Sequence, residues 1–112
     1  MHTVVETPPY LADAERLFTA EEQATIIDTV STEPRCGVVI PGTGGVRKLR
    51  VAASGRGKRG GARIIYLFGG DKVPVFFLAA FAKNEKSDLS QAERNNLARM
   101  TSELIRGYRS RR

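Results

Sequence analysis

The feature that most restricts how this chain folds is a pair of β-type runs on either side of a basic, glycine-rich connection. Arg47-Lys-Leu-Arg-Val-Ala-Ala53 alternates with a period of two, so Leu49, Val51 and Ala53 share one face and Lys48 and Arg50 share the other. Ser54 to Gly61 reads SGRGKRGG, and Ala62 to Phe68 reads ARIIYLF, which together predict a hairpin with a long tip. Gly69-Gly-Asp-Lys72 supplies the next turn. Val73 to Phe81 is almost wholly apolar, as expected of a strand covered on both faces or central in a sheet. Pro74 then belongs at its start or on an outward edge, because it has no N–H for the ladder.

Helical patterns flank this block. His2 to Glu6 is read as a short first strand ended by Pro8 and Pro9. From Tyr10 onwards Leu11, Ala14, Leu17 and Phe18 recur at helical spacing, with Asp13 and Glu15 on the other face. Thr19-Ala-Glu-Glu22 is a capping box that opens a second helix with Ala24, Ile27 and Val30 inward, stopping near Pro34. Cys36 to Val46 reads as a loop. Ser90-Gln-Ala-Glu93 is another capping box, and Leu97, Met100, Leu104 and Tyr108 follow it at helical spacing. The expected order is β-α-α-β-β-β-α, an α+β fold in which two N-terminal helices and one C-terminal helix pack on an antiparallel sheet. At 112 residues one domain spanning 1–112 is expected.

Charge is distributed unevenly. Residues 1–33 hold seven acids and one base, Arg16, although the whole chain has a formal net charge of +6. No acid occurs between Glu33 and Asp71, an interval that contains Arg35, Arg47, Lys48, Arg50, Arg56, Lys58, Arg59 and Arg63. Such a block is either a solvated face or the electrostatic footprint of a nucleic-acid partner, and its alternation with apolar residues favours the second. Arg106, Arg109, Arg111 and Arg112 form a second basic cluster, suited to the helix dipole and equally to gripping phosphate or an acidic partner.

Several chemistries do not fit. Gly42 to Gly45 has Arg47 where a GxGxxG motif needs its third glycine, and Gly55-Arg-Gly-Lys58 lacks both Walker spacing and a following Ser or Thr. With one cysteine, Cys36, and one histidine, His2, there is no Cys/His metal set and no Cys/His or Ser/His/Asp nucleophile. Neither metal nor cofactor is expected. No apolar run approaches the length of a membrane span, and the N-terminus has neither the basic nor the apolar region of a secretory signal, so a cytoplasmic protein is expected. Chemistry would then fall to Lys, Arg, Tyr or backbone groups, a set suited to phosphates and phosphoryl charge.

Three segments, Gly44-Gly-Val-Arg-Lys-Leu-Arg50, Ser54 to Tyr66, and Phe77-Leu-Ala-Ala-Phe-Ala-Lys-Asn-Glu-Lys86 with Asp88-Leu-Ser90, resemble the RelE/HigB toxins of bacterial type II toxin–antitoxin systems, particularly the HigB-like branch. The resemblance runs from about Val4 to Ile105. It implies the same α+β fold and a ribosome-dependent mRNA endonuclease that needs no metal. It also implies a cognate antitoxin, usually a helix-turn-helix protein of HigA type, through which alone operator DNA would be reached.

Carried over by position, the resemblance places Lys48, Arg50, Arg63 and Lys83 in the catalytic site, with Arg63 and Arg50 holding the phosphate and Lys48 or Lys83 transferring a proton. Arg47, Arg56, Lys58, Arg59 and Lys86 are read as RNA-binding, the three at the hairpin tip as ribosomal RNA contacts. Two departures stand out: Asn84 occupies an arginine position of RelE, and the C-terminal catalytic tyrosine of RelE has no clear counterpart, Tyr108 lying far along its helix. Tyr66 and Phe81 are read as core. The competing classes are a basic module that only holds RNA or ribosome, and a degenerate toxin acting as co-repressor with its partner. An antitoxin has two routes to inhibition, covering the basic site with an acidic segment or blocking ribosome entry from the helical side.

Overall fold

The computed structural model describes residues 1–53, 61–86 and 88–110. The elements are β1 (Val4–Glu6), α1 (Pro8–Leu17), α2 (Ala20–Thr32), β2 (Val38–Val39), β3 (Val46–Val51), β4 (Ala62–Leu67), β5 (Val75–Ala82) and α3 (Gln91–Ser110). They form an α+β fold around one five-stranded sheet of order β1-β5-β4-β3-β2. Two details differ from the sequence reading. The sheet is mixed, because β1 pairs with β5 in parallel, the chain returning through both N-terminal helices before it rejoins the sheet. The segment read as a loop contains β2, two residues that pair with Arg47 and Lys48.

The sheet is covered on both faces. On one, Tyr10, Ala14 and Leu17 of α1 and Ile26 and Val30 of α2 pack against Ile64, Tyr66 and Phe77. On the other, Leu97, Leu104 and Ile105 of α3 pack over Val46, Ile65, Leu67, Phe76, Leu78 and Phe81. Every residue of β4 is buried. Double coverage explains why β4 and β5 read as continuous apolar runs. Pro74 immediately precedes β5, where its missing N–H leaves the ladder intact.

The helix faces turn slightly from those expected. Leu11 and Ala24 are exposed and Tyr10 and Ile26 are buried in their place. On α3, Met100 and Tyr108 are exposed while Thr101 is buried. Both capping boxes form. Thr19 Oγ1 accepts from Glu22 N–H at 3.1 Å and Glu22 Oε1 accepts from Thr19 N–H at 2.9 Å. Ser90 and Glu93 repeat the exchange at the start of α3, at 3.1 and 2.8 Å.

Beyond Glu6 the outer edge of β5 has no neighbouring strand among the described residues, and α1 closes it. Thr7 Oγ1 donates to Phe77 O at 2.7 Å, and Ala80 N–H donates to Asp13 Oδ2 at 3.0 Å. At the hairpin end of the sheet Gly61 has φ +71°, and a Cβ there would stand 2.3 Å from Val51 O, so this position requires glycine. Among the described residues no helix is long and apolar enough to cross a membrane.

Candidate nucleic-acid interface

Strand parity builds the candidate site. On β3, Val46, Lys48 and Arg50 point to the α3 side, because Val46 belongs to the α3-side core and successive residues alternate. On β4, Arg63 shares a face with Ile65 and Leu67 of that same core. The register sets Arg50 directly opposite Arg63, and Arg63 directly opposite Phe81. Lys48 stands opposite Ile65, one pair further along the same face. Lys83 follows β5 two residues beyond Phe81, and its N–H reaches Gly61 O at 3.2 Å, so it lies at the same end of the sheet. Lys48, Arg50 and Arg63 are thereby drawn to one face, with Lys83 at the same end of the sheet as Arg50 and Arg63.

The site is graded in exposure. Arg50 and Lys83 are exposed, whereas Arg63 is only 8% exposed and its Nη1 donates to Ala62 O at 3.3 Å. Phe81, also buried, forms an apolar end to the row, and Lys86 Nζ lies 5.0 Å from its ring centroid. Like charges directly opposite on neighbouring strands destabilise a sheet. The register makes Arg50 and Arg63 such a pair.

Carboxylates from the segment entering α3 border this row. Asp88 Oδ1 accepts from Lys48 Nζ at 3.0 Å, and Asp88 Oδ2 is 3.5 Å from Arg94. The Leu89 N–H and the Lys48 ammonium together hold the Asp88 carboxyl below its ordinary value. Glu93 does two jobs: it caps α3 and contacts Lys86, which with the Ser90 N–H lowers its own carboxyl. Arg16 of α1 contacts Glu85 in the same way at the β5 edge. Sequence reasoning missed the role of Asp88. Its only signal was a position just ahead of the Ser90 capping box, and the Lys48 contact spans 40 residues.

The remaining positions separate. Arg47 points to the opposite face, where its Nη1 donates to Gly37 O at 2.8 Å and to Arg35 O at 3.3 Å. It pins the chain before β2 and is not brought together with the row. Lys86 is half-buried beside Phe81 and Glu93. Arg56, Lys58 and Arg59 lie outside the described residues. Tyr66 is core, donating to Pro34 O at 2.7 Å and accepting from Gly37 N–H at 2.8 Å, with burial holding its hydroxyl well above the ordinary tyrosine value. Tyr10 is buried on the α1/α2 side, and Tyr108 lies with Met1, His2 and the 71–74 turn, at the opposite end of the sheet from the Arg50–Arg63 pair. None of the three tyrosines lies in the row.

The fold, a mixed sheet carrying a basic end bordered by α3, defines the class. Residues 39–110 match the family described as the RelE toxin of the RelE/RelB toxin–antitoxin system. The chain belongs to this family and is the toxin component of a toxin–antitoxin pair, with a cognate antitoxin as its partner.

Proposed function

We propose that this toxin is a ribosome-dependent mRNA endonuclease. The observation that carries the reading is the Arg50–Arg63 pair, two arginines at directly opposite positions of β3 and β4 on the face that also holds Lys48. Guanidinium forks match phosphate oxygens, so the pair suits the scissile phosphate and its developing charge. In the proposed step the message's 2′-oxygen attacks the adjacent phosphorus, and the P–O5′ bond breaks. The products are a 2′,3′-cyclic phosphate and a 5′-hydroxyl. One proton leaves the 2′-hydroxyl and one reaches the 5′-oxygen, and Lys48 and Lys83 are the groups at the row for these transfers.

Lys48 is held by Asp88 in the free protein, so substrate phosphate must compete with that carboxylate. The ribosome supplies the remaining positioning, and the isolated protein is expected to be a poor nuclease. The antitoxin, of HigA-like helix-turn-helix type in this reading, inhibits by covering the row or by blocking ribosome entry, and operator DNA is reached only through it. The protein acts in the cytoplasm, where translating ribosomes are.

One observation favours a second reading, a toxin that binds ribosome or RNA without cutting: no tyrosine lies in the row, and Lys48 is already ion-paired. Induced expression in bacteria with message 5′ ends mapped by primer extension separates the two. New in-frame ends that vanish in Arg63→Ala and on co-expression of the antitoxin support the nuclease. Growth arrest without new ends supports ribosome binding alone.

A further inference from the structure

At the other end of α3 a groove of about 730 Å³ runs between that helix and the 42–44 turn. Arg106 and Arg109 border it, one helical turn apart, and among the described residues that line it there is no Asp or Glu. Neither arginine forms an ion pair with a described residue. Like charges at this spacing repel, and the helix dipole explains a preference for cations here without explaining two of them on one turn beside a shallow groove.

The opposite wall is pre-organised. Thr43 Oγ1 donates to Ile40 O at 2.6 Å and accepts from Val46 N–H at 3.2 Å, which fixes the turn. Gly42 and Gly44 flank it with φ +77° and +78°, conformations that suit glycine. A Cβ at Gly44 would approach Thr101 Cγ2 to 3.2 Å, so the turn fits closely against α3. Thr101 itself is 3% exposed, lines the groove, and its Oγ1 has no hydrogen-bond partner. Two guanidiniums that pair with no described carboxylate, beside a turn fixed by Thr43 and a lining free of described acids, are a donor set matched to an oxyanion.

We propose that this groove seats one phosphate group of an RNA backbone, apart from the Arg50–Arg63 row. It opens on the same α3 side of the sheet, and β3 connects the two places, with Val46 beside the turn and Arg50 about 13 Å further along the strand. A second phosphate contact at this distance orients an RNA strand across the face without reading its sequence. The proposal goes beyond the nuclease reading and stands whether or not the protein cuts RNA.

The test uses the full chain, 15N-labelled, and a single-stranded 2′-O-methyl oligoribonucleotide, which cannot supply a 2′-hydroxyl for cleavage. The amides of Gly42, Gly44, Thr101 and Ser102 should shift on titration. Replacing both arginines, Arg106→Ala with Arg109→Ala, should weaken binding about tenfold near 50 mM salt and reduce the salt slope by about 0.7, as for one lost phosphate contact. Arg106→Lys with Arg109→Lys should retain most of that slope. Silent groove amides while residues of the Lys48–Arg63 row respond would overturn the proposal. So would polyglutamate shifting those amides at lower concentration than the oligonucleotide, which would assign the groove to an acidic protein segment. Mapping on the wild-type chain keeps the test valid if the double variant is destabilised.

Discussion

Arg50 and Arg63 face each other across neighbouring strands at the hairpin end of the sheet, with Phe81 completing the row. Like charges opposite one another disfavour a sheet, and this pair lies on the face that the family reading assigns to RNA. Stability and function therefore oppose each other at this position. Arg50→Ala should raise the unfolding free energy by a few tenths of a kcal/mol, up to about 1, while weakening RNA binding. Chemical denaturation paired with an RNA-binding isotherm checks both halves, and a loss of stability would contradict the repulsion argument.

Arg63→Ala should slow translation-dependent cleavage by about a hundredfold or more, the scale seen when one preorganised charge-stabilising donor is removed. Cleavage of a reporter message in a reconstituted translation mixture measures it. Folding is monitored in parallel by circular dichroism, because Arg63 is buried. Wild-type cleavage rates from a folded variant would remove Arg63 from the mechanism.

Asp88 occupies Lys48 in the free protein. Asp88→Asn should release that ammonium and tighten binding of single-stranded RNA by about five- to tenfold near 50 mM salt, with a steeper salt dependence. Filter binding across a salt series reads both quantities. Unchanged affinity would show that Lys48 does not meet phosphate.

The same carboxylate and Glu93 set an acid limb to stability. Leu89 N–H and Lys48 lower Asp88, and Lys86 and Ser90 N–H lower Glu93, from ordinary values of 3.8 and 4.5. Because the folded values lie below the unfolded ones, this stabilisation is fully present above about pH 4.5 and is lost as pH falls through the folded values. Melting temperature followed from neutral pH into acid should fall in that window, and the fall should be shallower in Asp88→Asn with Glu93→Gln. Both carboxylates are well exposed, so the effect is modest.

Tyr66→Phe should cost about 1–3 kcal/mol, because the lost hydroxyl leaves Gly37 N–H and Pro34 O unpaired in the buried turn before β2. Equilibrium denaturation provides the measure, and the Gly37 amide should exchange faster with solvent than in the wild type.

What the sequence determined by itself were the features governed by local chemistry. The Thr19 and Ser90 capping boxes, the period of two at Arg47–Ala53 and the apolar β5 follow from short-range hydrogen bonding and side-chain periodicity. They fix the elements and place Lys48 and Arg50 on one face before any fold is known. Relations between distant segments were decided by the tertiary structure. A bulge at Ile65/Tyr66 shifts the β4–β5 register, so Phe77 faces α1 and α2 while Phe76, Leu78 and Phe81 face α3. A strict alternation could not reveal that change of face. The parallel pairing of β1, the inward rotation of Thr101 in place of Met100, and the Asp88–Lys48 ion pair depend equally on how distant segments pack. Periodicity specifies which side of an element is apolar, but what meets the other side is settled only when the chain closes on itself.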